Sequence, residues 1–290
     1  MESLLLVAAA GFAASMVDGA LGMGFGPTSS SILLSGGMAP SAVSATVNIA
    51  KAASGAAAGI SHWRLGNIDR RLVVRLALPG CAGALLGVTL LARVDGKELR
   101  PWLAVMLIAV GVRILFRFRK PLAVAAPSAV GASATAEASR GAEFVAAAGG
   151  VTNGLIGAWG PVVTPFLLHR GVPPRVTVGS VNTAEVAVAA ASLGALGPAL
   201  ASGALELPVV AAMLIGGVAG APLAAWVVRL LPPRAMGIAV AALLLLTNVR
   251  ELAVWGGVGE LRWALYAAVL GVAGAVGAAP VLRRSLAPSA

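Results

Sequence analysis

Two stretches decide the fold: GALGMGFGP at residues 19–27 and GLIGAWGP at residues 154–161. Each lies inside an apolar run long enough to cross a bilayer, and each closes on Gly-Pro. Glycine is a poor helix former and proline lacks a backbone donor, so a helix that reaches either stretch is expected to break there. Around these breaks the 290-residue chain is 59% hydrophobic, and its 37 glycines raise the apolar share to about 72%, against about 45–50% in soluble domains. Charged residues make up 11%, under half the ~25% of a soluble chain. That is too few to coat a globule of this size, which excludes an ordinary soluble protein. The missing polar surface is expected to face lipid.

Charges and turn residues divide the chain into nine apolar stretches, running approximately 4–34, 42–60, 72–91, 102–116, 144–168, 176–200, 207–228, 236–247 and 263–282. A spanning helix needs about 20 apolar residues, and most of the nine qualify. The segment 121–142, rich in Ala, Ser and Pro, reads as a flexible cytoplasmic linker between two halves. The start Met1-Glu2-Ser3 has no basic residue before the apolar run, which argues against a cleaved signal peptide.

The halves are copies. A shift of 134 residues puts Gly26-Pro27 on Gly160-Pro161, Leu33-Leu34 on Leu167-Leu168, Gly37 on Gly171, Pro40 on Pro174 and Val47-Asn48 on Val181-Asn182. With Ala50 on Ala184 this makes nine identities in 25 positions. After a three-residue insertion Gly80 falls on Gly217, Ala82-Gly83-Ala84 on Ala219-Gly220-Ala221, and Val112-Arg113 on Val249-Arg250. The expected division is repeat 1 over 1–120, the linker over 121–142, repeat 2 over 143–250, and a C-terminal transmembrane helix and tail over 251–290. Such a duplicated unit with one added helix is the pattern of secondary transporters.

The net charge of +10, from 21 Lys and Arg against 11 Asp and Glu, would suggest nucleic acid on a soluble protein. Here its placement is a topology signal, because cytoplasmic loops hold the excess of Lys and Arg. In the first copy the basic loops follow stretch two (Arg64, Arg70, Arg71) and stretch four (Arg117, Arg119, Lys120); in the second they follow stretch five (His169, Arg170, Arg175) and stretch seven (Arg229, Arg234). The two copies are therefore expected to be inverted. That requires the first stretch of each to enter and leave from one side, as a re-entrant pair of half-helices, leaving three transmembrane helices per copy. Arg283 and Arg284 then place the C-terminus in the cytoplasm. Trp63, Trp102, Trp226 and Trp263 fall at predicted helix ends, where an aromatic belt is expected.

Ionisable groups at bilayer depth cost about 2.5–3.5 kcal/mol each on insertion scales, so they usually face a partner or a water-filled cavity. Three stand out: Asp18 in the first broken stretch, Lys51 in VNIAK and Glu185 in VNTAE. Lys51 and Glu185 are repeat mates of opposite sign. Spacing i, i+3 puts Asn48 beside Lys51, and Asn182 beside Glu185, on one helix face. Gly22, Gly24 and Gly26 allow a ligand close to the backbone, Thr28 follows with a hydroxyl, and broken half-helices offer a positive end to an anion. Trp159 beside Gly160 is a pore-side candidate. The structural alternative is that Lys51 pairs with Asp18 or Glu185 and locks the helices, that the asparagines only bridge helices, and that Trp159 is packing. His62 and His169 fall at interface positions. Cys81 is the one cysteine; with no CxxC pair, zinc-type spacing or Walker loop, neither metal nor cofactor is expected.

The runs GALGMGFGPTSS (19–30), ATVNIAK (45–51) with SHWRLGNID (61–69), and GAWGPVVTP (157–165) with GSVNTAE (179–185) resemble the duplicated signatures of the sulfite exporter TauE/SafE family, also called the toluenesulfonate uptake permease family. The resemblance covers nearly the whole chain from about Phe12. It implies a secondary transporter of the bacterial inner membrane for sulfite, sulfoacetate or other organosulfonates. The leading expectation is a transporter driven by the proton motive force, with the anion held at the midplane by Lys51, Asn48 and Asn182 and with Glu185 or Asp18 in coupling. An anion channel, or a transporter of another small organic anion, is the alternative; an enzyme is not expected. Expected partners are a small anionic substrate and the bilayer, not nucleic acid, and a homodimer is left open.

Overall fold

The computed structural model describes residues 4–21, 24–117, 139–199, 207–227 and 233–285. All regular structure among them is α-helical. The order is α1 (Leu4–Leu21), α2 (Phe25–Ser35), α3 (Pro40–Arg64), α4 (Arg70–Arg93), α5 (Gly96–Arg117), α6 (Ala142–Ile156), α7 (Gly160–His169), α8 (Pro174–Ala199), α9 (Leu207–Val227), α10 (Pro233–Trp255) and α11 (Leu261–Ser285). Gly22 and most of the linker expected over 121–142 lie outside the described residues. The boundary expected at 250/251 falls inside α10, which runs on to Trp255.

The first and fifth apolar stretches are each broken at the glycine-rich site, into α1 and α2 and into α6 and α7. Each pair folds back as a hairpin. At the end of α2, Gly36 lies against Leu6 at the start of α1; at the end of α7, Arg170 Nη2 donates to the Arg140 carbonyl just before α6 (2.9 Å). The residues repeated between halves explain how both hairpins stop. Gly37 (φ 100°) and Gly171 (φ 84°) adopt left-handed backbone. Met38 N donates to Leu33 O (3.1 Å) and Gly37 N to Leu34 O (3.0 Å), and Val172 N and Gly171 N repeat the pattern onto Leu167 O and Leu168 O. This is a Schellman end, and Pro40 and Pro174 then open the next helix, where a missing N–H costs nothing.

Helix packing is reciprocal between the halves. α1 packs on α9 while α6 packs on α4, and each of α3 and α5 packs on its own counterpart, α8 and α10. Glycine sets the two hairpin contacts: a Cβ on Gly11 or Gly216 would strike the backbone of the facing helix in the α1–α9 pair, and one on Gly83 or Gly150 would do so in the α4–α6 pair. Small residues let apolar helices approach to van der Waals contact, the main attraction available between helices in lipid. α11 lies outside the bundle, on α10.

Among the described residues five helices are long and apolar enough to cross a membrane: α4, α5, α8, α10 and α11. α3 has the length, with 25 residues, but Ser44, Thr46, Asn48 and Lys51 lower its hydropathy, and all four are buried. Over its first half it is an interior helix, with these four polar groups turned to protein. α8 runs antiparallel to it: Asn67 beyond the end of α3 lies against Gly179 near the start of α8, and Gly55 lies against Val186. The hairpins therefore approach from opposite ends of α3. α2 joins its start, whereas Arg75 in the first turns of α4, just beyond its end, binds Glu143 in the first turn of α6 (Nε–Oε1 2.7 Å). Their tips meet at the middle, where a Cβ on Gly26 would strike the Gly157 carbonyl.

Candidate functional site

A cavity of about 70 Å³ lies at this meeting point, lined by Asp18, Gly24, Gly26, Lys51, Ser54, Gly55, Gly160, Asn182 and Glu185 among others. Five structural units converge on it: the end of α1, the starts of both short half-helices, α2 and α7, and the middles of α3 and α8. At roughly 10–15 Å³ per water-sized probe, the space takes about five such positions, the size of a small oxyanion.

The charged groups are placed by the break itself. Asp18, on the last turn of α1, accepts hydrogen bonds from Gly24 N (2.9 Å) and Phe25 N (3.3 Å). Its carboxylate thus caps α2, where the helix leaves amides unpaired and the dipole is positive. The repeat mate of Asp18 is Thr152, which makes no such cap: its hydroxyl donates to Gly149 O and Ala158 O. The start of α7 consequently carries no carboxylate. Val162 N and Val163 N both turn to Trp159 O, Pro161 has no N–H, and Gly160 lines the cavity.

Lys51 is 5% exposed, and its ammonium has three acceptors. It forms an ion pair with Glu185 and donates to Gly157 O (2.6 Å) and Asn153 Oδ1 (3.3 Å). An ammonium has three donors, so this one is saturated. The cavity thus holds one cation and two carboxylates.

The repeat mates Asn48 and Asn182 have different surroundings. Asn48 is fully buried, donates to Ser44 O (2.9 Å), and accepts from Asn153 Nδ2 (2.7 Å). Asn153 also reaches Ser192 Oγ (3.2 Å). This network ties α3, α6 and α8 together and lies outside the cavity lining. Asn182 faces the cavity, and its amide has no hydrogen bond among the described residues. Thr28 and Trp159 are wholly buried and do not line the cavity. Trp159 donates from Nε1 to Val181 O (3.2 Å) and its ring packs between Gly80 and Gly149, so its place is in the core.

Sequence reading passed over Asn153, Ser54 and Gly55. Asn153 carried a signal, an amide in an apolar run one turn before the break. Ser54 and Gly55 carried none, being small residues in a helix full of them.

A helical bundle with apolar outer faces and an ionised cavity where two broken helices meet defines the chain as a polytopic membrane protein. The chain belongs to the sulfite exporter TauE/SafE family, whose pattern it matches over residues 7–251, and is a membrane transporter rather than an enzyme. A similar protein is the "Probable membrane transporter protein YtnM" of Bacillus subtilis (strain 168), 35% identical over 256 residues, which covers 87% of this chain and 83% of that one. No solved structure matches the chain.

Proposed function

We propose that the protein is a secondary transporter of small sulfur-containing oxyanions, such as sulfite, sulfoacetate or another organosulfonate, across the inner membrane, driven by the proton motive force. The observation that carries this reading is the convergence of Lys51, Asn182 and the uncapped start of α7 on one cavity. An oxyanion needs hydrogen-bond donors and a cation to pair with; this cavity brings together the Asn182 amide, the α7 start without a carboxylate cap, and the Lys51 ammonium that Glu185 holds. Its volume favours an ion of sulfite size over an aryl sulfonate.

Inverted repeats, with re-entrant hairpins and a cytoplasmic C-terminus, complete the proposal, over the divisions 1–120, 121–142, 143–250 and 251–290. The antiparallel contact of α3 with α8 and the reciprocal hairpin packing support it. So does the two-sided difference along α3: residues 43–48 are buried, whereas Ala53 and Ser54 are exposed. A cavity shut on one side and accessible on the other fits alternating access better than a channel. With Arg64, Arg70 and Arg71 taken as cytoplasmic, the accessible side faces the cytoplasm.

Reconstitution tests the reading. Liposomes carrying the protein should accumulate labelled sulfite or a short sulfonate under a proton gradient, and Lys51→Ala should abolish this. Equal flux with and without Lys51 would remove it from the site.

A further inference from the structure

Lys51 has no donor left for a substrate. Its three acceptors are Glu185, Gly157 O and Asn153 Oδ1, so an anion gains access to the ammonium by displacing one of them. Gly157 O belongs to the hairpin tip wedged against Gly26. Asn153 is held by Asn48 and Ser192. Glu185 is the remaining acceptor, a flexible side chain on the cavity wall. It occupies the place a substrate oxyanion needs.

We infer that Glu185 is a resident stand-in for the substrate and carries the co-transported proton. The inference rests on the oxyanion reading given above. In charge-balanced form, the Lys51 ammonium–Glu185 carboxylate pair, one proton and one monoanion become a Lys51 ammonium–anion pair and a neutral Glu185 carboxylic acid. The Lys51–Glu185 contact breaks, the Lys51–anion contact forms, and the proton ends on a Glu185 oxygen. Without it the cavity would hold three negative groups against one ammonium, and a carboxylate 13% exposed would lose the one counter-ion it has among the described residues. Desolvated, unpaired charge of that kind neutralises instead.

The charged groups facing Glu185 are Lys51 from α3 and Asp18 from α1. The other helices packed on α8 bring no ionisable side chain to the cavity among the described residues: those of α4 are Cys81 and arginines near its two ends, α6 has Glu143 in its first turn, and α7 has His169 at its end. Asp18 is engaged elsewhere: its carboxylate accepts from Gly24 N and Phe25 N at the start of α2, and Lys51 pairs with Glu185. Its presence also directs the anion to α7: α2 has its carboxylate, whereas α7 has Thr152 in the equivalent place.

Binding to the purified full-length protein tests this. Methanesulfonate is the probe, because its charge is constant across the working pH range, and calorimetry in buffers of different ionisation enthalpy counts protons. About one proton should be taken up per anion bound, and affinity should fall about tenfold per pH unit as pH rises through the range in which Glu185 is ionised in the free protein. Glu185→Gln should bind with no proton uptake and no pH slope, and Asp18→Asn should keep the slope. Binding by the unaltered protein without proton uptake overturns the inference, whether or not Glu185→Gln folds. So does a slope that survives Glu185→Gln or disappears in Asp18→Asn. If methanesulfonate, thiosulfate and sulfite all fail to bind, the oxyanion reading falls first, and this inference with it.

Discussion

Lys51 and Glu185 hold the same position in the two halves of the chain and close an ion pair with each other across the antiparallel contact of α3 and α8. The antiparallel packing of α3 on α8 brings these equivalent positions face to face. Like charges buried face to face would repel, whereas the opposite signs found at this position let the two side chains neutralise each other.

Removing one partner of the pair leaves the other unpaired and buried. Lys51→Ala should therefore destabilise the protein by about 3–5 kcal/mol, and Lys51→Met with Glu185→Met should recover most of that loss while transport stays absent. Thermal melts in detergent alongside liposome flux separate the two effects. A double variant as unstable as the single would show that the pair's partners, not its charge, set the cost.

The hairpin tips meet too closely for a side chain. Gly26→Ala should strike the Gly157 carbonyl, cost about 1–3 kcal/mol from overpacking, and remove transport. Gly37→Ala serves as the comparison: its left-handed backbone (φ 100°) is strained by a Cβ, yet that Cβ meets nothing within 4 Å. It should cost about 1–2 kcal/mol and leave transport intact. Melting temperature and initial flux read both variants.

Asn182 and Trp159 should separate binding from folding. Asn182→Ala removes an amide with no hydrogen-bond partner among the described residues, so the melting temperature should not move. Substrate affinity should fall by the worth of a hydrogen bond to a charged ligand, about 1.5–3 kcal/mol. Trp159→Phe should do the reverse, losing the bond to Val181 O at about 1 kcal/mol with KM unchanged.

Access along α3 should be one-sided. With Cys81, the one cysteine, replaced by Ala, Ser54→Cys should react with a membrane-impermeant thiol reagent from the side of the Arg64–Arg70 loop only. Ser44→Cys, buried against Gly154 O (2.6 Å), should not react from either side. In the same background, cysteines in place of Gly36 and Arg170 should label from opposite sides of the membrane; labelling from one side would refute the inverted arrangement.

The all-helical membrane class, both helix breaks and the duplication are legible in the sequence because each is a local property. Apolar runs set helix length, glycine-rich runs interrupt a helix, Gly-Pro stands in the first turn of each second half-helix, and the repeated Leu33-Leu34, Gly37 and Pro40 fall where α2 has its Schellman end and α3 its start. The presence of Lys51, Glu185 and Asp18 within apolar stretches is legible for the same reason. Their pairing is not. Lys51 had two carboxylates to choose from, and which one it meets depends on α3 packing antiparallel on α8, a contact between residues 134 apart in the chain. The split between Asn48 and Asn182 is likewise tertiary. Identical residues in matching motifs differ because Asn153, with no amide at its own repeat position, fills the space beside one and not the other. Sequence thus determined which groups the membrane interior must accommodate; the folded contacts alone decided which neutralise one another and which face the cavity, because burial and pairing belong to neighbours in space.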